Sequence, residues 1–459
     1  HVMRRSEQND AVDLAALRLE LAKGAAGHRA GIDVAGVRRD ERAMLALSAL
    51  YFFLVMASYF ILRPIRDQMG VAGGVRNLAW LFTGTLVAML LVSPLFSALV
   101  SRWPRRRFVT WSYRALMLCL LAFYGALVGL PDSTSIWVGR AFFIWVSVFN
   151  LFAVSLFWAV MADVYQGESS RRLYGVIAAG GSLGALLGGV ATAGLVELIG
   201  APALLLVSLA MLEMALWCMF AINACVGAAS PASGGGRQAG DEIIGGSAVD
   251  GFRLALRSPY LLGICGYMFL YTIGSTFLYF LQAQVVDATI DGEAAQTVYF
   301  ANVDIWVNGL TLVLQLLLTG RLMARIGVGL TLAALPLISV IGFVGLGLYP
   351  VLAAVVVFTV ARRVTNFALS RPAREALYVP LSRAEKYKAK NLIDTVVYRV
   401  GDQVGAWTNT ALLWLGLGIG GIAFTAAPLA AVWLVLSLWL GRRYVEGQRR
   451  GDAVQAPPA

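Results

Sequence analysis

Histidine is almost missing from this chain of 459 residues: there are two, and one of them is the first residue. His28 alone cannot build a zinc site or an imidazole-driven catalytic dyad, so those chemistries are set aside. Cysteine is nearly as scarce. Cys119, Cys218, Cys225 and Cys265 all lie in or beside apolar stretches, and no two stand in C-x-x-C spacing. That excludes a cysteine-ligated metal site and a disulfide framework. No Ser/His pair, paired acids or metal-ligand constellation is visible, so neither an enzyme nor a cofactor is expected. Charge is the third deficit. Charged residues make up 14% of the chain, against about 25% in soluble domains. With 59% hydrophobic residues, a single aqueous core cannot hide this much apolar surface. The lipid bilayer is the expected solvent.

What is present is a succession of long apolar runs. A helix needs about 20 apolar residues to cross the hydrocarbon core. Such runs lie near 44–64, 77–100, 108–130, 136–162, 175–198, 202–226, 260–285, 298–319, 327–348, 350–369, 391–416 and 419–441. They predict an all-α membrane protein of about twelve transmembrane helices. The net charge of +11 does not point to nucleic acid, because the bases sit in short runs between apolar stretches. Arg102, Arg105, Arg106 and Arg107 follow the second run, Arg171 and Arg172 the fourth, and Arg321 and Arg325 the eighth. Arg371, Arg374, Arg383, Lys386, Lys388 and Lys390 follow the tenth, and Arg442, Arg443, Arg449 and Arg450 the last. The alternate loops are nearly free of bases. The positive-inside rule then places both termini in the cytoplasm. Arg66 and Arg76, in the first loop, are discordant.

The predicted organisation is a cytoplasmic segment 1–43, a six-helix bundle 44–226, a linker 227–259, a second six-helix bundle 260–441 and a cytoplasmic tail 442–459. His1-Val2-Met3 reads as a cloning remnant. About forty polar residues precede the first run, so the first helix is expected to serve as the insertion signal. An apolar pattern at 12–23 fits a helix on the membrane surface or a frayed soluble one. The linker, with "GAASPASGGGRQAGDE", is flexible by composition. The halves show a repeat. "SALVSRWPRRRF" closes the second run and "LTGRLMARIGVG" the eighth. Gly180 and Gly184 correspond in position to Gly401 and Gly405, and small-xxx-small spacing lets helices approach closely. Two pseudo-symmetric bundles of this kind resemble the major facilitator superfamily.

Ionisable side chains inside spans are costly, so each needs a partner or a wet cavity. Arg63, Arg66 and Asp67 share one face of the first helix, and Pro64 is expected to break that helix. Two readings stand there: charges at a cavity, or arginines at the outer interface. Arg114, Arg140, Glu213 and Asp304 lie in the third, fourth, sixth and eighth runs. Arg362, Arg363 and Asn366 share a face midway along the tenth. One of these arginines is expected to pair with Asp394 or Asp402, leaving the other for an anion; internal pairing of both is the alternative. Asp394, Tyr398 and Asp402 recur every four residues beside Arg399, and a carboxylate there is either a salt-bridge partner or a proton carrier. Asn150, Phe157, Trp158, Asp163, Tyr267, Tyr271 and Tyr279 either stack on a planar group or pack. The excess of guanidinium favours an anion over a cation.

Three stretches carry a family resemblance: "YFILRPIRDQMG" (59–70), "SLFWAVMAD" with "RRLYGVIAAGGSLGALLGG" (155–189), and "RPAREALYVPLSRAEKYKAKNLIDTVVYRVGDQVGA" (371–406). They resemble the nucleotide (ATP/ADP) translocases of plastids and intracellular bacteria, distant relatives of the major facilitator fold. The resemblance places Arg66 on a family lysine and Asp67 on its aspartate. Asp402 stands where the family has a functional lysine, and Val146 lies near the place of a functional glutamate. It implies a bacterial inner-membrane antiporter working by alternating access. The expected cargo is a small anionic solute, such as a nucleotide or other phosphorylated compound, and the expected state is a monomer. Arg63, Arg66, Arg362, Arg363, Asn366, Tyr398 and Arg399 are the candidate binding residues. Asp67, Asp304, Asp394 and Asp402 are the candidates for coupling or charge balance. Two alternatives remain open: a proton-coupled exporter of an organic anion or metal chelator, and a membrane scaffold or sensor that does not transport.

Overall fold

In lipid every backbone polar group must be satisfied within the segment, which leaves helices as the solution for such runs. The computed structural model describes residues 42–102, 104–165, 168–229, 258–379, 381, 390 and 392–455, and among them there is no strand. The expectations for the 12–23 pattern and for most of the linker lie outside the described residues.

Helix α1 (Arg42–Ala72) is followed by α2 (Leu78–Arg102), α3 (Arg105–Gly129), α4 (Asp132–Val164) and α5 (Glu168–Ala229). The second half holds α6 (Pro259–Thr289), α7 (Glu293–Leu314), α8 (Gly320–Leu348), α9 (Leu352–Thr365), the short α10 (Arg371–Ala376), α11 (Tyr398–Trp414) and α12 (Ile419–Gln455). Nine segments among the described residues are long and apolar enough to cross a membrane. Two of them, at 53 and 56 residues, are more than twice the length of one crossing of about 20 residues. Each is divided by a glycine. Gly200 in α5 has φ 79° and Gly327 in α8 has φ 77°, a left-handed turn that side chains with a Cβ avoid.

Pro64 does not break its helix: α1 runs through it without interruption. Membrane helices tolerate the missing donor because neighbours and small local adjustments re-satisfy the freed carbonyl. The irregularity lies in the second half instead. Single π-helical turns at Gln315–Thr319, Asn366–Ser370 and Ile393–Val397 lengthen the register of the helices they join. Gln315 and Thr319 of the first turn donate to the carbonyls of Phe367 and Ala368 in the second, at 3.1 and 2.8 Å.

The glycine repeat has a packing counterpart. A Cβ on Gly180 of α5 would lie 2.5 Å from the Ala49 carbonyl oxygen of α1. On Gly401 and Gly405 of α11 it would lie 2.9 and 3.0 Å from Cβ of Thr272 and Thr276 of α6. The α1/α5 contact of one half thus recurs as α6/α11 in the other. Gly180→Val is expected to lower the melting temperature sharply in detergent, because it forces apart two backbones in contact. Gly175→Val, where nothing lies within 4 Å, is expected to be neutral.

The first half packs around Tyr51, Phe142, Phe149 and Phe157. Phe52 stacks on Phe157 at 4.3 Å, and Trp158 stands edge-on to both rings. Phe157 and Trp158 are therefore core packing. One apolar cluster draws buried residues from both halves: Val71, Val75, Leu78 and Phe143 with Phe280, Val286, Phe300 and Ala406. Beside it Thr83 donates to Gln403 at 2.9 Å, Trp407 donates to Thr83 at 3.1 Å, and Trp80 meets Trp407 edge-on at 4.9 Å. These contacts seal the halves together at the end where α1 finishes and α2 begins.

Candidate functional site

On α1, the three- and four-residue spacings do bring Arg63, Arg66 and Asp67 to one face. Arg66 donates through Nε and Nη2 to the same Asp67 oxygen, at 3.0 and 2.5 Å. Arg63 Nε lies 4.0 Å from the other oxygen. The Tyr279 hydroxyl of α6 also donates to Asp67, at 3.0 Å, which ties the two halves. Arg66 lies over the Phe143 ring at 5.0 Å, a cation–π contact.

Asp304 of α7 is the centre of the arrangement. It is 2% exposed, and one of its oxygens takes Arg63 at 3.2 Å and Arg363 of α9 at 2.8 Å. The Arg63–Asp304 ion pair thus joins the halves as well. The second Asp304 oxygen, Oδ2, is buried and has no hydrogen-bond partner among the described residues.

Arg362, next in sequence to Arg363, is equally buried at 2% exposure, yet among the described residues it meets no carboxylate. Its guanidinium donates to Ser339, to Ser275 and to the Tyr271 carbonyl, at 3.1, 3.1 and 3.0 Å. The Tyr271 and Trp433 rings lie 5.4 and 5.9 Å from it. Gly274 leaves it room: a Cβ there would sit 3.3 Å from Nη2. Among the described residues neither Arg362 nor Arg363 pairs with Asp402, one of the two partners expected for them. Asp402 is held instead by Arg399 of its own helix at 3.5 Å and by Thr276 at 3.1 Å. The Asp394 side chain lies outside the described residues.

These groups line two adjoining cavities between the halves. One, of about 290 Å³, holds Arg66, Arg399 and Asp402 with Asn150 and Phe143. The other, of about 210 Å³, holds Arg63, Asp67, Asp304, Arg362, Arg363 and Asn366. Ser275, Tyr279 and Tyr398 line both. Described arginines outnumber described aspartates on the combined wall: Arg63, Arg66, Arg362, Arg363 and Arg399 against Asp67, Asp304 and Asp402. Such a wall performs no covalent chemistry. It can exchange one negative partner for another.

Of the sequence-predicted candidates, Tyr267 is placed elsewhere, bonded to Ser370 at 2.7 Å in the second half. Arg114 pairs with Glu213 across α3 and α5. Arg140 donates to the Gly73 carbonyl at 3.0 Å. Ser275 and Ser339, which position Arg362, were missed. Ser275 carried a readable signal, since Tyr271, Ser275 and Tyr279 form a polar stripe at helical spacing.

The sequence pattern of the Major Facilitator Superfamily matches residues 43–370. ADP,ATP carrier protein 1 of Chlamydia trachomatis serovar D is 26% identical over 212 residues, which covers 42% of this chain and 40% of the carrier. The match therefore spans less than half of that relative. Among solved structures, a bacterial homolog of the human lysosomal transporter Spinster, inward-facing and unoccupied, aligns over 92% of this chain and 100% of that one, with TM-score 0.52 and 13% identity. The nucleoside transporter NupG aligns over 89% and 99%, with TM-score 0.57 and 12% identity. A POT family transporter in complex with 5-aminolevulinic acid aligns over 87% and 96%, with TM-score 0.58 and 12% identity. At such identities the likeness is one of fold.

Proposed function

This chain belongs to the Major Facilitator Superfamily and is a membrane transporter, and we propose that its cargo is a small anionic solute moved by alternating access. The observation that carries this reading is Arg362. A guanidinium with no carboxylate partner among the described residues, at the wall of a central cavity, suits a negative group that arrives with the cargo. A phosphorylated cargo is supported by the partial match to an ADP,ATP carrier.

In the proposed cycle, Asp304 neutralises Arg63 and Arg363 while the site is empty. An anion seated on Arg362 and Arg363 takes over part of that role and loosens the Arg63–Asp304 pair across the halves. Occupancy then biases the two bundles, 44–226 and 260–441, toward a different packing. A ligand shifts such an equilibrium only by its difference in affinity for the two states. With both termini cytoplasmic in a bacterial inner membrane, the sealed end faces outward. Asp402, a carboxylate that lines the larger cavity beside Arg399 and Thr276, supports a second reading, proton-coupled export.

The test is a thermal-shift panel of nucleotides, phosphosugars, dicarboxylates and cationic drugs, followed by uptake into proteoliposomes with and without a pH gradient. Anions are expected to raise the melting temperature by mass action, and cations are not. Stabilisation by cations alone would reject the proposal. Alternating access has its own check. In a cysteine-free background, Thr83→Cys and Gln403→Cys joined by a short thiol cross-linker are expected to stop uptake, with recovery on reduction. Undiminished uptake by the cross-linked protein would mean that the seal does not open.

A further inference from the structure

The smaller cavity holds more than cations. Asp304 Oδ2 and Asn366 Oδ1 are acceptors without partners among the described residues, and both residues line this cavity. Their residues are 2% and 7% exposed, so bulk water does not reach them freely. The Asn366 amide is fixed at its other end, where Nδ2 donates to the Tyr271 hydroxyl at 3.0 Å. The residues that carry these two acceptors therefore line the same cavity as Arg362 and Arg363. A bare anion has only acceptors to offer. It satisfies the guanidiniums but leaves Asp304 Oδ2 and Asn366 Oδ1 without a donor, and it lies beside a carboxylate of like charge.

We infer that the cargo is an acid carrying a hydrogen-bond donor close to its charged group, such as a hydroxy acid, an amino acid or a hydroxylated phosphomonoester. The inference rests on the anion reading above and narrows it. The acid group meets Arg362 and Arg363, and the neighbouring O–H or N–H reaches Asp304 Oδ2 or Asn366 Oδ1. A donor there also screens the cargo's charge from Asp304. Sites built to bond a substrate hydroxyl reject the analogue that lacks it far more strongly than apolar pockets reject a missing methylene.

The test uses matched probes: malate against succinate, lactate against propionate, and glycerol 3-phosphate against propyl phosphate. Affinities are read from thermal shifts of the full-length protein and from competition for uptake. The donor-bearing member of the best-bound pair is expected to bind at least about tenfold more tightly. Asn366→Leu, which removes one acceptor and keeps the arginines, is expected to shrink that ratio to below about threefold. Equal binding within every pair would overturn the inference while leaving the anion reading intact, and would mean that water satisfies the acceptors. An unchanged ratio in Asn366→Leu, together with an unchanged ratio in Asp304→Asn, would overturn it as well. A panel in which no anion binds removes the anion reading and this inference with it.

Discussion

Replacing Arg362 with methionine is expected to lower anion affinity and uptake by about a hundredfold while the protein still folds. The two effects separate because of what Arg362 leaves behind. It neutralises no carboxylate among the described residues, so its loss strands no buried charge. Its hydroxyl partner Ser339 already bonds the Leu335 carbonyl at 2.9 Å, and Tyr271 lies within the continuous helix α6. Methionine fills much of the same volume with an adaptable chain. The missing quantity is a delocalised positive charge at the cavity wall. Arg362→Lys is a sharper control. It keeps the charge but cannot hold three acceptors in one plane beside two rings, so it is expected to recover only part of the affinity. The measurement is the melting temperature without ligand, the thermal shift with the stabilising anion, and uptake into proteoliposomes. Wild-type uptake by Arg362→Met would remove Arg362 from the site.

The spans and the glycine repeat were legible because both depend on local pattern. Apolar length alone marks a crossing, and Gly180 and Gly184 announce a close approach whatever helix they meet. A same-helix partner was legible for the same reason: Arg63 and Asp67 share a face at helical spacing. Partners on different helices were not. Asp304 was recognisable as a charge in a span, but its depth and the rotation of α7 decide that Arg63 and Arg363 both reach it. The expected stripe of Asp394, Tyr398 and Asp402 assumed a regular helix, whereas residues Ile393–Val397 form a π turn just before Tyr398. Nothing in the pattern of a single strand of sequence reveals such a turn. The broken first helix was the opposite error. Pro64 carries a strong local signal, but α1 continues through it.

Asp304→Ala is expected to be the most destabilising change at the site. It leaves Arg63 and Arg363, each 20% exposed, near one another without the carboxylate that binds both. Removing one partner from a buried ion pair costs about 3–5 kcal/mol, largely because the remaining charge is uncompensated. The loss also cuts the Arg63–Asp304 ion pair between the halves, while the Asp67–Tyr279 hydrogen bond stays. A second substitution, Arg363→Met, is expected to restore part of the stability by removing the stranded charge. Such non-additivity is the signature of direct coupling. Added anion provides an independent readout. If the cargo's negative group and the Asp304 carboxylate compete for the same guanidiniums, the anion replaces the missing aspartate. It should then raise the melting temperature of Asp304→Ala by more than it raises that of the unmodified protein. Simple loss of packing would lower stability without enlarging the anion response, and that result would dissociate Asp304 from charge exchange at the site.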